Sequence, residues 1–293
     1  MRLAIASALA ALAVLGVAVA IASSGGDERR VAAADPAVPA AEEALPRSPA
    51  RLARRLTEVS RGLRGSIDAW RSEGDLIRGE APDAVQLQAL YQQRVFRLLA
   101  RRRALGSATL RRLPGWLAPT ARDSVAALRN LFRLAAQYRG RRHSTYRTGR
   151  ALPPGVLLRH YRAAQRRFGV GWHVLAAVNL VETGFNRLRN NSVAGAQGPM
   201  QFIPSTWRAY GMRGNIRDPR DAIFGAANYL RASGAPRNYG RALYAYNHSP
   251  LYVDAVLRYA RRMRGRGFLA FYNWQVFVRS RSDGERRLTG PGR

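Results

Sequence analysis

Glu182 is the residue whose type and position in this sequence best suit acid–base chemistry. It is the only glutamate between Glu80 and Glu285, and it lies near the end of an apolar segment, residues 172–184, that has helical periodicity. The residues four and seven positions before it are valine and leucine, so its carboxyl lies on the apolar face of the predicted helix. Desolvation there would raise the pKa of the carboxyl, as a general acid working near neutral pH requires. The structural alternative is a buried salt bridge to one of the many arginines.

The other acids of residues 151–264 are Asp218, Asp221 and Asp254, and each has a structural explanation. Asp218 suits the N-cap of a helix whose first position is a proline, and Asp221 suits the capping-box position of the same helix. Asp254 falls in the first turn of a further helix, where the helix dipole favours an anion. A glycosidase with two catalytic carboxylates would need a second acid. The pattern therefore suits a reaction in which one carboxyl, that of Glu182, makes both proton transfers.

Helices must position this carboxyl, because the sequence predicts a mainly α fold. Leucine, valine and aromatic residues recur at spacings of three and four in residues 51–150, which we interpret as an Arg-rich helical region. A proline pair at residues 153–154 marks a domain boundary, and residues 151–264 form the helical domain that carries Glu182.

The remaining segments are shorter. Residues 27–50, rich in Ala, Pro and Glu, predict a linker. Residues 265–280 are a C-terminal extension dense in aromatics, for which we expect one or two short extended pieces that cover the helical domain. Residues 281–293 predict a disordered tail.

The N-terminus indicates export. Arg2 precedes an apolar run, Leu3–Ala22, that has no charge and no proline, and small and polar residues follow it. Residues 1–26 are therefore interpreted as a signal peptide or as a retained N-terminal membrane anchor. Either places the rest of the chain outside the cytoplasm, secreted or anchored in the cell envelope.

Composition excludes several classes of site and narrows the partners. The 293 residues carry 49 basic and 18 acidic side chains, a net charge of +31, and every basic one is arginine. Without lysine or cysteine, the chain has no Schiff-base or P-loop lysine, no cysteine nucleophile and no disulfide. The four histidines have no metal-ligand spacing, so no metal and no cofactor are predicted. For an exported chain, the charge favours anionic wall polymers or the membrane surface over nucleic acid.

Three motifs resemble one known family when taken together. They are Glu182-Thr183-Gly184 at the end of an apolar helix, Gly198-Pro199-Met200-Gln201 after Ala194-Gly195-Ala196, and Ala245-Tyr246-Asn247. Their order and spacing are similar to those of the lytic transglycosylases with a lysozyme-like, goose-type catalytic domain, over roughly residues 153–264. This resemblance weakens the salt-bridge alternative for Glu182.

The resemblance implies an activity. Such enzymes cleave the β-1,4 bond between N-acetylmuramic acid and N-acetylglucosamine in peptidoglycan glycan strands and leave 1,6-anhydro ends. Glu182 would protonate the glycosidic oxygen and then, once ionised, take the proton of the C6 hydroxyl. The N-acetyl group of the substrate would stabilise the cation at C1.

The resemblance also implies roles for the neighbouring residues. Gln201 would contact Glu182 and the sugar, and Met200 would line the same wall. The hydroxyl of Tyr246 would position the carboxyl, and Asn247 would bind substrate or brace its loop. Thr183 stands where family members usually have serine, and because it keeps the hydroxyl it is expected among the substrate-binding residues. Core packing is the alternative for Met200 and Tyr246.

Three other functions stay open at this point. A hydrolytic muramidase on the same fold would use Asp218 or Asp221 to hold water. A non-catalytic wall-binding protein would keep the fold without the chemistry. An Arg-rich nucleic-acid binder is disfavoured by the export signal and by the lack of a recognisable nucleic-acid motif.

Overall fold

The computed structural model describes residues 38–137, 145–279 and 285–293. The signal peptide or anchor predicted at residues 1–26 and the first part of the predicted linker lie outside these ranges. Within them, no helix is both long enough and apolar enough to cross a membrane.

The Arg-rich region is helical, as the periodicity predicts. Its four helices are α1 (Pro49–Glu73), α2 (Asp83–Arg101), α3 (Arg103–Leu110) and α4 (Ala118–Gln137). Ser48 begins α1, since its hydroxyl accepts a hydrogen bond from the amide of Arg51 at 3.2 Å. The apolar stripe of α1 is buried, and each large aliphatic side chain in it stabilises the fold by about 1.5–3 kcal/mol relative to an exposed one.

Seven helices follow in the rest of the described chain, which confirms the mainly α fold. They are α5 (Pro154–Phe168), α6 (Trp172–Thr183), α7 (Pro204–Tyr210), α8 (Pro219–Ala232), α9 (Tyr239–Tyr246), α10 (Pro250–Arg262) and α11 (Arg266–Tyr272). Proline occupies the first helical position of α5, α7, α8 and α10, where its fixed φ angle suits the helix and its missing N–H costs nothing.

The acids at the starts of α8 and α10 match the predictions in part. Asp218 is the N-cap of α8, and its carboxylate accepts the amide hydrogen of Asp221 at 2.9 Å. Asp221 does not complete a capping box, because its carboxylate accepts from the amide of Asn215 and the amide of Asp218 donates to the Asn215 carbonyl. Asp254 lies beyond the first turn of α10 and bonds side chains: Nδ2 of Asn130 at 2.7 Å and the guanidinium of Arg258 at 2.6 Å.

The C-terminal segment differs from the expectation. Residues 266–272 of this segment form α11 and are not extended, because their aromatic side chains pack inward on a helical spacing, whereas residues 277–279 are extended as expected. The extended pieces come later: β1 (Phe277–Arg279) pairs antiparallel with β2 (Glu285–Arg287), with Val278 opposite Arg286. A disordered tail is the expectation for residues 281–293, yet residues 285–287 are a strand because they pair with β1, and Glu285 also forms ion pairs with Arg97 and Arg101 of α2.

The Arg-rich region and the helices that follow it share one hydrophobic core. A single cluster of buried side chains includes Leu52 of α1, Val95 of α2, Val178 of α6 and Trp274 after α11. The boundary near residues 153–154 therefore marks a change in sequence character but does not separate two cores.

Charged groups also fasten α4 to α10. Asp123 of α4 is 7% exposed, and its carboxylate accepts hydrogen bonds from Arg258, Arg261 and Arg262 of α10. Burial raises the pKa of Asp123, but the hydrogen bonds from Arg261 and Arg262 outweigh burial and leave the pKa below its ordinary value. These ion pairs hold the Arg-rich region against the helix that begins at Pro250.

Candidate active site

Helix α6 places Glu182 at its last turn, next to the point where the chain leaves the helix. Apolar residues cover most of the circumference of α6, so the helix is buried nearly all round. Gly184 ends it with φ at 58°, a left-handed conformation that favours glycine. A Cβ atom at Gly184 would lie 3.2 Å from Cγ2 of Val276, so the C-terminal segment packs directly over the end of α6.

The environment of the Glu182 carboxyl is apolar. The residue is 4% exposed, and it takes part in no ion pair among the described residues, which excludes the buried salt bridge within them. Burial raises the pKa of Glu182 to about 8, and a hydrogen bond from Tyr252 offsets this only in part. The carboxyl is therefore mostly protonated at neutral pH, which is the state that a general acid needs.

Tyr252, on the first turn of α10, holds the carboxyl in place. Its hydroxyl donates to Oε1 of Glu182 at 2.7 Å, and the residue is fully buried. Burial raises the pKa of Tyr252 well above its ordinary value, so the hydroxyl stays a proton donor at any ordinary pH. Tyr252 is not among the site residues predicted from the sequence. A signal existed, since Tyr252, Val256 and Tyr259 share one helical face, but such spacing predicts burial and no contact with a particular partner.

Tyr246 stands beside Tyr252 and connects it to the Gly-Pro-Met-Gln loop. The two rings are parallel within 6°, with centroids 6.4 Å apart. The Tyr246 hydroxyl donates to the carbonyl of Met200 at 2.5 Å, and Met200 itself is fully buried. Both residues thus pack in the core, which was the structural alternative for each, and through these contacts they fix the position of the loop relative to the Tyr252–Glu182 pair.

Thr183 and Asn179 tie the same loop to α6. The hydroxyl of Thr183 donates to the carbonyl of Pro199 at 2.7 Å and accepts the amide of Asn186 at 2.9 Å. The side chain of Asn179 donates to the same carbonyl at 2.8 Å and accepts from the hydroxyl of Tyr161 at 2.6 Å. Thr183, which was expected to bind substrate, is 2% exposed and braces the loop. Asn179 was missed, because an asparagine within an apolar helix has no spacing signal.

Gln201, the last residue of this loop, and Asn247, which follows α9, are both buried. Nε2 of Gln201 donates to the carbonyl of Gly198 at 3.0 Å, whereas its Oε1 is buried and has no hydrogen-bond partner among the described residues. A buried acceptor left without a donor costs about 1–3 kcal/mol, so Gln201 is set to accept a hydrogen bond from a group that enters the site. Asn247 is 3% exposed, and its amide ends α9 by donating to Leu243.

A cleft of about 500 Å³ reaches Glu182 from the side of α2 and α4. Its walls come from α2, α4, the end of α6 and the segment around β1, and they include Glu182, Thr183, Phe132, Trp274 and Val278. Met200, Gln201, Tyr246 and Asn247 are not among its lining residues, so of the expected site residues the cleft brings together only Glu182 and Thr183. No pattern in the sequence indicates that the Arg-rich helices form a wall of this cleft.

Most aromatic residues of the C-terminal segment pack in the hydrophobic core. Trp274 is 3% exposed and contacts the rings of Phe96, Tyr259 and Phe271 edge to face. The hydroxyl of Tyr272 donates to the carbonyl of Leu152 at 3.0 Å. These contacts explain both residues as parts of the core.

The comparisons with known proteins agree with the site. Residues 159–267 match the family model described as the transglycosylase SLT domain. No curated protein and no solved structure matches the chain. The matched range begins in α5, ends in α11, and contains Glu182, the Gly-Pro-Met-Gln loop and Tyr252. The chain thus carries a transglycosylase SLT domain, the lysozyme-like helical catalytic domain of lytic transglycosylases that act on peptidoglycan.

Proposed function

We propose that the chain is an exported peptidoglycan lytic transglycosylase that cleaves the β-1,4 bond between N-acetylmuramic acid and N-acetylglucosamine. Its product would be a glycan with a 1,6-anhydro-N-acetylmuramic acid end. Glu182 would act first as the acid and then as the base. The observation that carries this proposal is one carboxyl, buried at the end of α6, whose pKa is raised to about 8.

The two proton transfers follow from that environment. Protonated Glu182 donates its proton to the glycosidic oxygen, and the bond between that oxygen and C1 breaks. The resulting carboxylate lies in an apolar site, where ionisation is costly, so it is a strong base. It removes the proton of the C6 hydroxyl while O6 bonds to C1, which closes the anhydro ring and returns Glu182 to its protonated state. Tyr252 keeps Oε1 oriented through both steps, since its hydroxyl donates to that atom.

The hydrogen bonds of Asp218 and Asp221 support this route over hydrolysis. A hydrolytic enzyme needs a second carboxylate to activate water. The carboxylates of Asp218 and Asp221 accept backbone hydrogen bonds at the start of α8, from the amides of Asp221 and Asn215 respectively. Both are therefore occupied as structural groups. Glu285, the other glutamate that lines the cleft, is paired with Arg97 and Arg101, so Glu182 would act alone.

The other expected site residues would support the chemistry in two ways. Gln201 does not line the cleft and its Oε1 is buried, so it would bind the sugar after a movement of the loop that exposes this acceptor, which lacks a donor among the described residues. Met200, Tyr246, Asn247 and Thr183 would hold the loop that presents Gln201. Their burial and their hydrogen bonds to that loop and to the end of α9 favour this supporting role.

The location of the enzyme is part of the proposal. Residues 1–26 would export the chain or anchor it in the cell envelope, with residues 27–50 as the linker. The net charge of +31 would attract it to anionic wall polymers or to the membrane surface. Removal of residues 1–26 should leave the protein in the cytoplasm on cell fractionation, and an unchanged envelope fraction would contradict the export.

Purified wall digested with the protein tests the activity. Mass spectrometry should find anhydro-muramic ends, whereas reducing ends without anhydro rings would contradict the proposal and indicate a hydrolytic muramidase. E182Q should lower the rate at least about 100-fold. E58Q, which removes an exposed carboxyl of α1, is the matched control and should digest wall like the wild type. If E182Q were as active as E58Q, Glu182 would not be the catalyst.

A further inference from the structure

The cleft that reaches Glu182 is strongly basic at the end that lies away from this carboxyl. Five arginines and two glutamates line it. One of the glutamates is Glu182, which is mostly protonated at neutral pH because burial raises its pKa to about 8. The other, Glu285, pairs with Arg97 and Arg101 together. The cleft therefore holds an excess of positive charge.

Three of these arginines form what we call the cationic wall: Arg103 at the start of α3, and Arg129 and Arg133 on α4. Among the described residues, none of the three forms an ion pair with an acid. Arg103 and Arg133 are exposed. Arg129 donates instead to the carbonyl oxygens of Leu99 and Ala100, at 3.1 and 3.3 Å. Within the described chain, their charge is thus available to a ligand.

Arg129 and Arg103 are close enough to repel each other. Burial lowers the pKa of Arg129 first, and the charge of Arg103 lowers it further. A fold that brings like charges together at the edge of a cleft accepts an unfavourable interaction, which an anion between them would reverse. Arginine suits a carboxylate in particular, because its planar guanidinium can donate two parallel hydrogen bonds to the two oxygens.

The catalytic end of the cleft is electrostatically separate from this wall. Only burial and the Tyr252 hydrogen bond contribute to the pKa shift of Glu182, and no arginine of the described chain does. Apolar side chains, among them Leu128, Phe132 and Val278, also line the cleft. A ligand could therefore place neutral sugar rings at Glu182 and an anionic group at the wall without perturbing the acid.

We propose that the cationic wall binds carboxylates carried by the glycan substrate, and that the helices outside the transglycosylase domain thereby select which strands are cleaved. This inference rests on the proposed function, since the sugar backbone of a peptidoglycan strand is neutral. Its carboxylates project from the muramic residues. They belong to the peptide stem or, where the stem has been removed, to the lactyl group. Arg103, Arg129 and Arg133 all precede the matched residues 159–267, so the wall is an addition of this chain to the family domain.

The test compares R103Q/R133Q with wild type on three substrates. They are glycan with intact stems, glycan freed of stems by an amidase, and an oligomer of N-acetylglucosamine that has no carboxylate. On stem-bearing glycan the double variant should raise KM roughly tenfold and leave kcat nearly unchanged, because two charge-assisted contacts are lost far from the acid. On the uncharged oligomer the two proteins should be equal.

The amidase-treated glycan identifies the source of the carboxylate. If the difference in KM disappears on it, the anion that the wall binds is a stem carboxylate. If the difference persists, the wall also binds the lactyl carboxylate, which becomes free only when the stem is removed. R159Q/R166Q removes the same charge from two exposed arginines of α5 and should keep the wild-type KM. Equal KM values for R103Q/R133Q and wild type on both carboxylate-bearing glycans would overturn the proposal. An equal rise in KM for the α5 control would do so as well, since it would indicate general attraction.

A measurement of glycan binding without turnover distinguishes a failure of this inference from a failure of the proposed function. In the E182Q background, sedimentation with stem-bearing glycan measures affinity without turnover. Adding R103Q/R133Q to E182Q should weaken the binding by a similar factor. If wild type produced no anhydro ends while this difference persisted, the proposed reaction would fail and the carboxylate site would stand. Unchanged binding beside normal anhydro products would overturn the carboxylate site and leave the proposed reaction standing.

Discussion

Tyr252 donates a hydrogen bond of 2.7 Å to Oε1 of Glu182, across 70 residues of sequence and between α10 and α6. This contact is the one hydrogen bond that contributes to the shifted pKa of the carboxyl. Tyr246 stacks on the same tyrosine and holds the Met200 carbonyl, so the acid, its donor and the Gly-Pro-Met-Gln loop form one connected unit. The position of α10 therefore controls the geometry of the acid.

Y252F should impair catalysis and shift its pH dependence. The hydrogen bond lowers the pKa of Glu182, so its loss should raise that pKa above about 8. The carboxylate formed after the first proton transfer also loses a stabilising donor. We expect kcat to fall about 10- to 100-fold and the alkaline limb of the profile to move to higher pH. Rates of wall digestion between pH 5 and 10 measure both effects.

Y91F is the matched control for that variant. The Tyr91 hydroxyl on α2 is buried and has no hydrogen-bond partner among the described residues, so its removal should be neutral or stabilising. Its pH profile should equal that of wild type. If Y252F lost activity with an unmoved alkaline limb, Tyr252 would support the fold only and would not tune the acid.

Glu182 should destabilise the fold as the pH rises. Its folded pKa of about 8 lies above the ordinary value of 4.5, so the folded state binds more protons between these values. The free energy of unfolding therefore falls as the pH rises through that window. E182Q does not titrate, and it should be more stable than wild type by about 3 kcal/mol at pH 7, with the difference vanishing toward pH 4.5.

Urea unfolding of E182Q and wild type at several pH values measures this difference. A gap that stayed constant with pH would mean that the carboxyl titrates with an ordinary pKa, and the assignment of Glu182 as an acid near neutrality would then fail. E58Q again serves as the reference, since the Glu58 carboxyl is exposed on α1 and pairs there with Arg55.

The sequence contained enough to predict much of the helical framework and to single out Glu182 as the candidate acid. A lone carboxylate on an apolar helix face is costly unless it is used, and Gly184 marks the helix end by requiring a left-handed φ. These signals depend on residues close together in the sequence, so they can be recognised without knowledge of the tertiary structure. The N-cap role of Asp218 is local in the same way, and the structure confirms it.

The rest of the site depends on contacts between residues distant in sequence. From the sequence alone, Tyr252 is an ordinary residue of α10. Only the packing of α10 on α6 brings its hydroxyl to Glu182. From the sequence alone, the arginines of α2 and α4 suggest a solvated helix face. Only the packing of these helices shows that the arginines line the cleft. Residues 285–287 lack a hydrophobic pattern, and they form a strand by pairing with residues 277–279 while Glu285 forms ion pairs with the arginines of α2. No spacing within one segment predicts such pairs.

D123N should loosen the joint between α4 and α10. The carboxylate of Asp123 is nearly buried and faces three arginines, so neutralising it leaves concentrated positive charge. We expect a loss of about 2–4 kcal/mol in the free energy of unfolding, and a lower kcat because α10 carries Tyr252. The pKa of Asp123 is lowered in the folded state, so its contribution is present above the unfolded value of 3.8 and is lost as the pH falls through the folded pKa.

D68N is the control for that prediction. Asp68 pairs with Arg266 on the surface, where water screens the interaction. Chemical denaturation and wall digestion should both leave D68N close to wild type. Equal losses in the two variants would show that Asp123 acts as a surface charge and has no special role in holding α10.

Two glycines, one at the start of the Gly-Pro-Met-Gln loop and one three residues before it, permit a test of close packing in which one variant is the control for the other. Gly198 and Gly195 both have positive φ, 74° and 83°, so an alanine at either position is strained by about 1–2 kcal/mol. Their surroundings differ: a Cβ at Gly198 would lie 1.9 Å from the carbonyl oxygen of Ile216, whereas one at Gly195 would meet nothing within 4 Å.

G198A should therefore displace the loop, while G195A should only strain it. We expect G195A to retain most of the wild-type kcat and to lose only the strain energy in stability. G198A should lose more stability and at least about 10-fold in kcat, because the shift moves Met200 and Gln201 relative to Tyr246 and Glu182. Thermal unfolding and digestion rates measured on both variants make the comparison. Similar kcat values for the two would mean that the position of this loop does not matter to the reaction.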